Sequence, residues 1–354
     1  MNESLPSRPA RAGLAPGIRR VIWWVVCCVF ASAVLLAAGA IYQWQATRSE
    51  MKRQPPPGIM VDIGRYRLHL YCQGTGEPTV ILDAGLGDSY LVWSWVQPRI
   101  ATTNRVCSYD RGGAGYSDPS PRARNSEQIS RELHTLLSRS NITRPVVLVG
   151  WSAAGLYARA YQSQFPADVA GLVLVDASHE DQWARLPSSA RVAVSGYFSK
   201  FRLATLRMAL GLGRIPGPGG HRLWNSPFDP ATDNNLALQM PVPDDKLSYA
   251  RAVGHRVPWF TTTLREWYDF PASANFVRRL RQPLRIPVAV VSAGIAPDSS
   301  FGVEWNRLQA DLTTLSSNSR RIIAAGSDHQ GMGSKGADSV VAGIRAVLAE
   351  IKRQ

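Results

Sequence analysis

From residue 58 onward, short apolar runs alternate with segments of helical periodicity, and this alternation restricts the chain to a small set of folds. Several runs, such as PVVLVG and AGLVLVDAS, are almost continuous Val, Leu and Ile, as in strands that are buried on both faces. Helical patterns lie between the runs, at 126–138, 155–165, 303–315 and 337–352. The pattern predicts an α/β domain with a mostly parallel sheet and helices on both faces.

The alternation stops between residues 180 and 285, where Gly and Pro punctuation, many aromatic residues and an excess of basic residues replace it. An insertion between two strands of a parallel sheet lies over the carboxyl ends of the strands, where ligands bind. We therefore predict a helical lid at 180–285, between a first part of the core at 59–179 and a second part at 286–354.

An uncharged stretch of 24 residues, 21–44, precedes this domain. A helix of this length spans a bilayer core of about 30 Å, and basic and aromatic residues lie at both of its ends. We predict a cytoplasmic basic tail at 1–20, a transmembrane signal anchor at 21–44 and a polar, Pro-rich linker at 45–58, with the main domain on the extracytoplasmic side. The alternative is a signal peptide that is cleaved near AGA at 38–40, which would give a secreted protein.

The net charge and the absence of known binding motifs indicate which ligands and partners the protein is expected to bind. The formal net charge is +14, but the basic residues are not interleaved with aromatics as in nucleic-acid-binding proteins, so we expect contact with anionic lipid rather than nucleic acid. Dinucleotide, phosphate-loop and metal-ligand motifs are absent from the sequence, and no cofactor or metal is expected. Cys72 and Cys107 form either a disulfide, in an oxidising compartment, or two buried thiols. The sequence leaves the oligomeric state open.

The stretch GWSAA at 150–154 contains a serine between a strand-like run and a helical pattern. A serine on such a strand-to-helix turn projects its hydroxyl above the sheet, and small neighbours allow the strand and helix to approach closely. Gly150 and Gly155 meet this requirement, while Ala154 stands where glycine is usual. Ser152 is therefore a candidate nucleophile.

Three further motifs accompany the serine in order: LDAGLGDS at 82–89, YDRGGAGYSD at 109–118 and GSDHQ at 326–330. With them, the chain from about residue 58 to 352 resembles the α/β-hydrolases. The resemblance implies an α/β-hydrolase fold with eight strands. It also implies that Ser152 is the nucleophile, that His329 is the general base, and that the backbone N–H groups of Leu86 and Ala153 form an oxyanion hole.

The acid that orients the histidine has two candidates. Asp298 follows the penultimate strand, which is the commonest position in the resembled family, but it stands one residue further from the glycine than usual. Asp176 ends the strand after the elbow helix, where some relatives carry the acid. The sequence does not choose between them.

A serine at the nucleophile position disfavours dehalogenase and epoxide hydrolase chemistry, which requires a carboxylate nucleophile. The aromatic lid, the basic surface and the membrane segment favour a carboxylesterase or lipase-like enzyme that acts on small hydrophobic esters. Two alternatives remain: an aminopeptidase or amidase of the same fold, with Glu180 and Asp181 as acidic pair, and an inactive membrane-tethered binding protein.

Overall fold

The computed structural model describes residues 15–214 and 242–354. Within these ranges one eight-stranded sheet has the order β1-β2-β4-β3-β5-β6-β7-β8. The β1–β2 and β2–β4 pairs are antiparallel and the other neighbours are parallel, so the predicted mostly parallel sheet is confirmed. The strands are Ile59–Asp62 (β1), Arg67–Gln73 (β2), Val80–Asp83 (β3), Val106–Tyr109 (β4), Val146–Trp151 (β5), Val169–Val175 (β6), Val288–Ala293 (β7) and Ser319–Ala324 (β8).

Helices cover both faces of the sheet, and alternate residues of the buried strands face opposite layers. Val147 and Val149 of β5 pack with the carboxyl-terminal helix, whereas Val146 and Leu148 pack with helices that precede and follow the elbow. Because both faces are covered, the strands are apolar throughout. The helices are Pro16–Arg53 (α1), Gln97–Ile100 (α2), Ser126–Arg139 (α3), Ala154–Gln164 (α4), Gln182–Arg185 (α5), Ser188–Ala209 (α6), Leu247–Gly254 (α7), Val257–Tyr268 (α8), Phe270–Arg279 (α9), Ser300–Leu312 (α10) and Ala337–Ile351 (α11).

Helices α5 to α9 lie between β6 and β7, in the segment predicted as the lid, and we call them the insert. Buried aromatic side chains form the core of the insert, namely Phe198 and Phe201 of α6 with Trp259 and Phe260 of α8. Leu86, from the loop after β3, packs against the same cluster, so the insert contacts the loop predicted to form the oxyanion hole. Residues 215–241 of the predicted lid lie outside the described residues.

The first helix is longer than the predicted anchor. α1 runs without a break from Pro16 to Arg53 and is long and apolar enough to span a membrane or to serve as a signal sequence. Its residues before Gly39 are exposed, apart from the partly buried Cys27. Residues 45–53 of the predicted linker at 45–58 are therefore helical. Residues 1–14 of the predicted basic tail lie outside the described residues.

The end of α1 remains helical because it packs on the insert. Gln43 donates a hydrogen bond to the carbonyl oxygen of His255 at 2.7 Å. Arg214 donates to both carboxylate oxygens of Glu50, at 2.7 and 2.8 Å, and His255 Nδ1 lies 3.1 Å from the same carboxylate. These polar residues recur on one face of α1, and their partners lie in a distant part of the chain, so the sequence pattern alone gave no sign of the contact.

Cys72 and Cys107 lie directly opposite each other on β2 and β4 and form a disulfide. Of the two states that the sequence left open, the structure contains the bonded one. The bond links the antiparallel edge of the sheet to its parallel centre.

The contact between α1 and the insert predicts a loss of stability in Glu50→Gln. The side chain of Arg214 is only 7% exposed, and removing one charge of such a pair costs about 2 kcal/mol of the free energy of unfolding. We expect the melting temperature of the detergent-solubilised chain, followed by tryptophan fluorescence, to fall by several degrees. Glu127→Gln is the control, because the ion pair that it breaks, between Glu127 and Arg131, is exposed to solvent. An equal fall in the melting temperature of this control would contradict the prediction.

Candidate active site

Ser152 follows β5 directly and has a φ of 54°, in the left-handed region. A non-glycine residue in this region is strained, and the turn exposes its hydroxyl before α4 begins at Ala154. A Cβ at Gly150 would lie 2.4 Å from the carbonyl oxygen of Ala154, and one at Gly155 would lie 2.4 Å from Ala177 Cβ. Both positions therefore require glycine, whereas the methyl group of Ala154 is accommodated in the core.

The structure brings Ser152 and His329 together. His329 Nε2 lies 3.0 Å from Ser152 Oγ, and His329 Nδ1 lies 2.6 Å from Asp176 Oδ2. The other oxygen of Asp176 accepts hydrogen bonds from the Ala293 N–H at 3.0 Å and from Trp305 Nε1 at 2.9 Å. The carboxylate of Asp176 is thus fully hydrogen-bonded, and it holds the imidazole with Nε2 directed at the serine.

Of the two candidate acids, the structure places Asp176 against His329 and leaves Asp298 away from it. Asp176 is buried at the end of β6, next to the strand that carries Ser152. Asp298 is exposed on the loop after β7, and no hydrogen bond joins it to His329 within the described residues. Of the two candidates that the sequence left open, the geometry therefore favours Asp176. The sequence pattern could not reveal that His329 turns towards β6.

The pair His329 and Asp176 favours an ionised carboxylate. Burial alone would lower the pKa of His329, but the hydrogen bond and charge of Asp176, together with the charge of Asp88, raise that pKa above its ordinary value. Burial alone would raise the pKa of Asp176, but hydrogen bonds from His329, Trp305 and the Ala293 N–H lower it. Asp176 therefore carries the charge that stabilises a protonated His329.

The two predicted oxyanion donors flank the serine. A Cβ on Gly85, next to Leu86, would lie 3.4 Å from Ser152 Cβ, so the loop after β3 approaches the serine closely. Ala153 is the N-cap of α4, where backbone N–H groups have no partner within the helix. Within the described ranges, the N–H groups of Leu86 and Ala153 make no hydrogen bond. They are therefore available to a developing oxyanion.

Arg111 fixes the loop after β3, and the sequence analysis did not recognise this role. Its side chain, 2% exposed, donates to Asp83 Oδ1 at 2.6 Å and to the carbonyl oxygens of Ala84 and Gly85 at 2.7 and 2.6 Å. It also donates to both carboxylate oxygens of Glu266 on α8, at 2.8 and 2.9 Å. The position of Arg111 in the quoted YDRGG motif, two residues after a buried strand, was the available signal.

Asp88 is a second residue that the sequence analysis missed. It lines the same cavity as Ser152 and His329, and its Oδ2 lies 2.5 Å from the point that a Cβ on Gly85 would occupy. Burial raises the pKa of Asp88 to about 7, although the charges of Arg111 and His329 oppose this effect. A carboxyl group that changes charge near neutral pH therefore faces the site.

Ser152 opens into a cavity of about 650 Å³ between the sheet and the insert. This volume is typical of sites for small organic ligands. Aromatic and aliphatic side chains make up most of the wall, including Leu86, Trp183, Phe198, Trp259, Trp267 and Phe301. The site can therefore hold an apolar group next to an activated hydroxyl. Among the described residues, no group of three or more His, Cys, Asp or Glu side chains is placed to hold a metal ion.

Comparison with known families identifies the class of protein. Residues 78–332 match the family model described as alpha/beta hydrolase fold. Because the match covers most of the chain, this protein belongs to the α/β-hydrolase family. It is a hydrolase of that fold.

Individual relatives are more distant. A pimeloyl acyl-carrier-protein methyl ester esterase from Sodalis glossinidius is 34% identical over 105 residues, which cover 30% of this chain and 38% of the relative. The uncharacterized YbdG of Bacillus subtilis is 23% identical over 50% of this chain and 58% of its own length. The chain spans between 20% and 58% of the curated relatives it matches.

Solved structures share the fold at low sequence identity. An esterase from Thermogutta terrifontis has a TM-score of 0.57 and 18% identity, over 83% of this chain and 98% of that one. The enol-lactonase from Burkholderia xenovorans LB400 has a TM-score of 0.55 and 16% identity, over 82% of this chain and 100% of that one.

The geometry predicts different effects for the two candidate acids. Asp176→Asn removes the charge that stabilises protonated His329, and we expect kcat for a model ester to fall by roughly 10⁴-fold. Asp298→Asn should keep a rate close to that of the wild type because Asp298 does not contact His329. Steady-state kinetics of both folded variants test this prediction. A larger fall in kcat for Asp298→Asn than for Asp176→Asn would show that Asp298 is the acid.

The charge of Asp88 predicts a shift in the pH profile. His329 accepts a proton only when it is neutral, so activity should rise with pH through the raised pKa of His329. Asp88→Asn removes one of the charges that raise this pKa, so the acid limb of kcat/KM should move to lower pH. Asp338→Asn, at an exposed site on α11, serves as the control. An unchanged acid limb in Asp88→Asn would show that Asp88 does not act on His329.

Proposed function

We propose that this protein is a serine hydrolase that cleaves carboxylic esters carrying an apolar group, through an acyl-enzyme on Ser152. The observation that carries the proposal is the hydrogen-bonded series Ser152, His329 and Asp176 at the wall of an apolar cavity. This arrangement has the order and the contacts that acyl transfer by a serine nucleophile requires.

In this mechanism Ser152 Oγ attacks the ester carbonyl carbon and His329 Nε2 takes its proton. The N–H groups of Leu86 and Ala153 stabilise the negative charge on the carbonyl oxygen, each donor contributing about 3 kcal/mol to the transition state. When the intermediate collapses, the alcohol leaves with the proton from His329. A water molecule, deprotonated by His329, then attacks the acyl-enzyme, and the acid and free Ser152 are released.

The environment of the acidic residues supports an ester over a peptide amide with a free amine. Glu180 is paired with Arg159 at 2.6 Å and Asp181 with Arg278 at 2.8 Å, and neither lines the cavity around Ser152. The pair that could bind an ammonium group is thus engaged elsewhere. Asp88 does face the cavity, but with a pKa of about 7 it is only partly charged at neutral pH.

We also propose that α1 anchors the protein in a membrane and that the hydrolase domain lies on the extracytoplasmic side. The apolar, exposed first part of α1 supports an anchor, and the Cys72–Cys107 disulfide suits an oxidising compartment. Protease accessibility of the domain in intact and permeabilised cells tests the side.

Labelling of Ser152 tests the proposed function. We expect a fluorophosphonate probe to label the detergent-solubilised full chain at Ser152, as found by peptide mass mapping, and Ser152→Ala to abolish the label. The same variant should lose at least about 10⁴-fold of the p-nitrophenyl butyrate activity. Ser178→Ala is the matched control, because Ser178 also lines the cavity but has no contact with His329, and it should retain both signals.

Two results would contradict the proposal. If the folded protein neither reacts with the probe nor releases p-nitrophenol from short- and medium-chain esters, a binding protein on a hydrolase fold is the better description. If proline anilides are cleaved faster than esters, the amidase alternative takes precedence.

A further inference from the structure

Helix α6 of the insert approaches α1 within the apolar stretch of the latter. A Cβ on Gly39 would lie 2.2 Å from the carbonyl oxygen of Leu210, and one on Gly211 would lie 2.5 Å from the carbonyl oxygen of Gly39. The two backbones are therefore in direct contact. Gly39 lies inside the uncharged stretch 21–44, so the residues at the carboxyl-terminal end of α6 touch the part of α1 that we propose lies in the membrane.

The aromatic residues of α1 give the level of this contact. Tyr42 and Trp44 are exposed, by 55% and 60%, at the end of the apolar stretch, where such side chains lie at the headgroup level. Gly39 is five residues before Trp44, or about 7.5 Å towards the bilayer centre. Leu206 is one turn from Leu210, a distance of about 6 Å. Leu206 therefore lies close to the level of Trp44.

The exposed face of α6 carries both apolar and basic side chains. It presents Val192, Leu203 and Leu206, which are 71%, 48% and 55% exposed. The helix also carries four basic residues and no acidic residue, and Lys200 and Arg202 are exposed beside these apolar side chains. Exposed apolar side chains beside basic residues favour contact with anionic lipid, because the apolar groups leave water and the basic groups meet the charged headgroups.

The ion cluster at the end of α1 holds the insert at this height. Glu50 contacts Arg214 and His255, and Gln43 donates to the carbonyl oxygen of His255. Thr47, which lies between Gln43 and Glu50 on α1, accepts a hydrogen bond from Arg214 at 2.9 Å. Arg214 closely follows α6 in the chain. Anchor and insert are thus joined at two levels, by the backbone contact at Gly39 and by the polar contacts above it.

We propose that α6 rests on the membrane, with Leu203 and Leu206 inserted between the headgroups of an anionic bilayer. Val194, Tyr197 and Phe198 of the same helix line the cavity around Ser152, so the cavity wall lies next to the lipid surface. The substrate class that this arrangement favours is an ester dissolved in the bilayer. This last step rests on the proposed ester hydrolase function, whereas the membrane contact of α6 rests on the proposed membrane anchor.

The depth of a spin label at position 206 tests the contact. Leu206→Cys, in a full chain with Cys27 and Cys28 replaced by serine, is labelled and reconstituted in phosphatidylcholine vesicles that contain phosphatidylglycerol. We expect oxygen to reach the label at position 206. We also expect its accessibility to a water-soluble nickel chelate to be several-fold lower than that of a label at a position exposed to water. The matched control is Ile323→Cys on β8, since Ile323 is 56% exposed and Leu206 55%. Equal nickel accessibility at the two positions would overturn the proposal.

A second measurement separates the substrate class from the contact. Leu206→Glu should lower hydrolysis of a long-chain ester dissolved in these vesicles several-fold and leave hydrolysis of soluble p-nitrophenyl butyrate unchanged. Ile323→Glu, the control, should leave hydrolysis of both esters unchanged. If both esters are affected equally, the substrate need not come from the bilayer. If the wild type cleaves neither ester, the proposed function fails, and the spin-label result still decides whether α6 rests on lipid.

Discussion

The buried guanidinium of Arg111 connects the three parts of the molecule on which the site depends. It binds Asp83 at the end of β3, the carbonyl oxygens of the loop before Leu86, and Glu266 on α8 of the insert. Burying one arginine with two carboxylates is tolerable only when every charge is hydrogen-bonded. The sheet, the loop and the insert must therefore adopt one relative position, and that position sets where the Leu86 N–H lies with respect to Ser152.

The sheet supplies the second constraint, because the two strained residues of the site follow neighbouring parallel strands. Ser152 and Asp176 both have positive φ values, 54° and 39°. Backbone hydrogen bonds hold these turns: the Ser152 N–H donates to Val175 O at 3.0 Å, and the Asp176 N–H donates to Val291 O at 2.6 Å. Strained backbone persists only where the surroundings over-determine it. The buried strands β5, β6 and β7 provide such surroundings, which fix the positions of Ser152 and Asp176 relative to each other.

The sequence predicted the features that depend on local pattern and missed those that depend on distant contacts. The strands were predictable because burial on both faces requires continuous apolar runs. Ser152 was predictable as a candidate because the sharp turn between β5 and α4 needs small residues at fixed spacing. The choice of Asp176 over Asp298 was not predictable, because it depends on how a late loop folds back over β6. Arg111 and Glu266 are 155 residues apart, so no periodicity connects them. Residues 45–53 were predicted as a linker because their sequence is polar. Contacts with the insert stabilise their helix, and an apolar stripe does not.

The contact between α1 and the insert also constrains the first helix. A flexible linker would leave the orientation of α1 relative to the hydrolase domain free, whereas a helix bonded to the insert through Glu50 and Arg214 fixes it. Since α6 carries Phe198 into the cavity and Leu206 to the outside, close packing couples the outer face of this helix to the cavity wall. The N-terminal helix therefore contributes to the position of the insert beside the cavity.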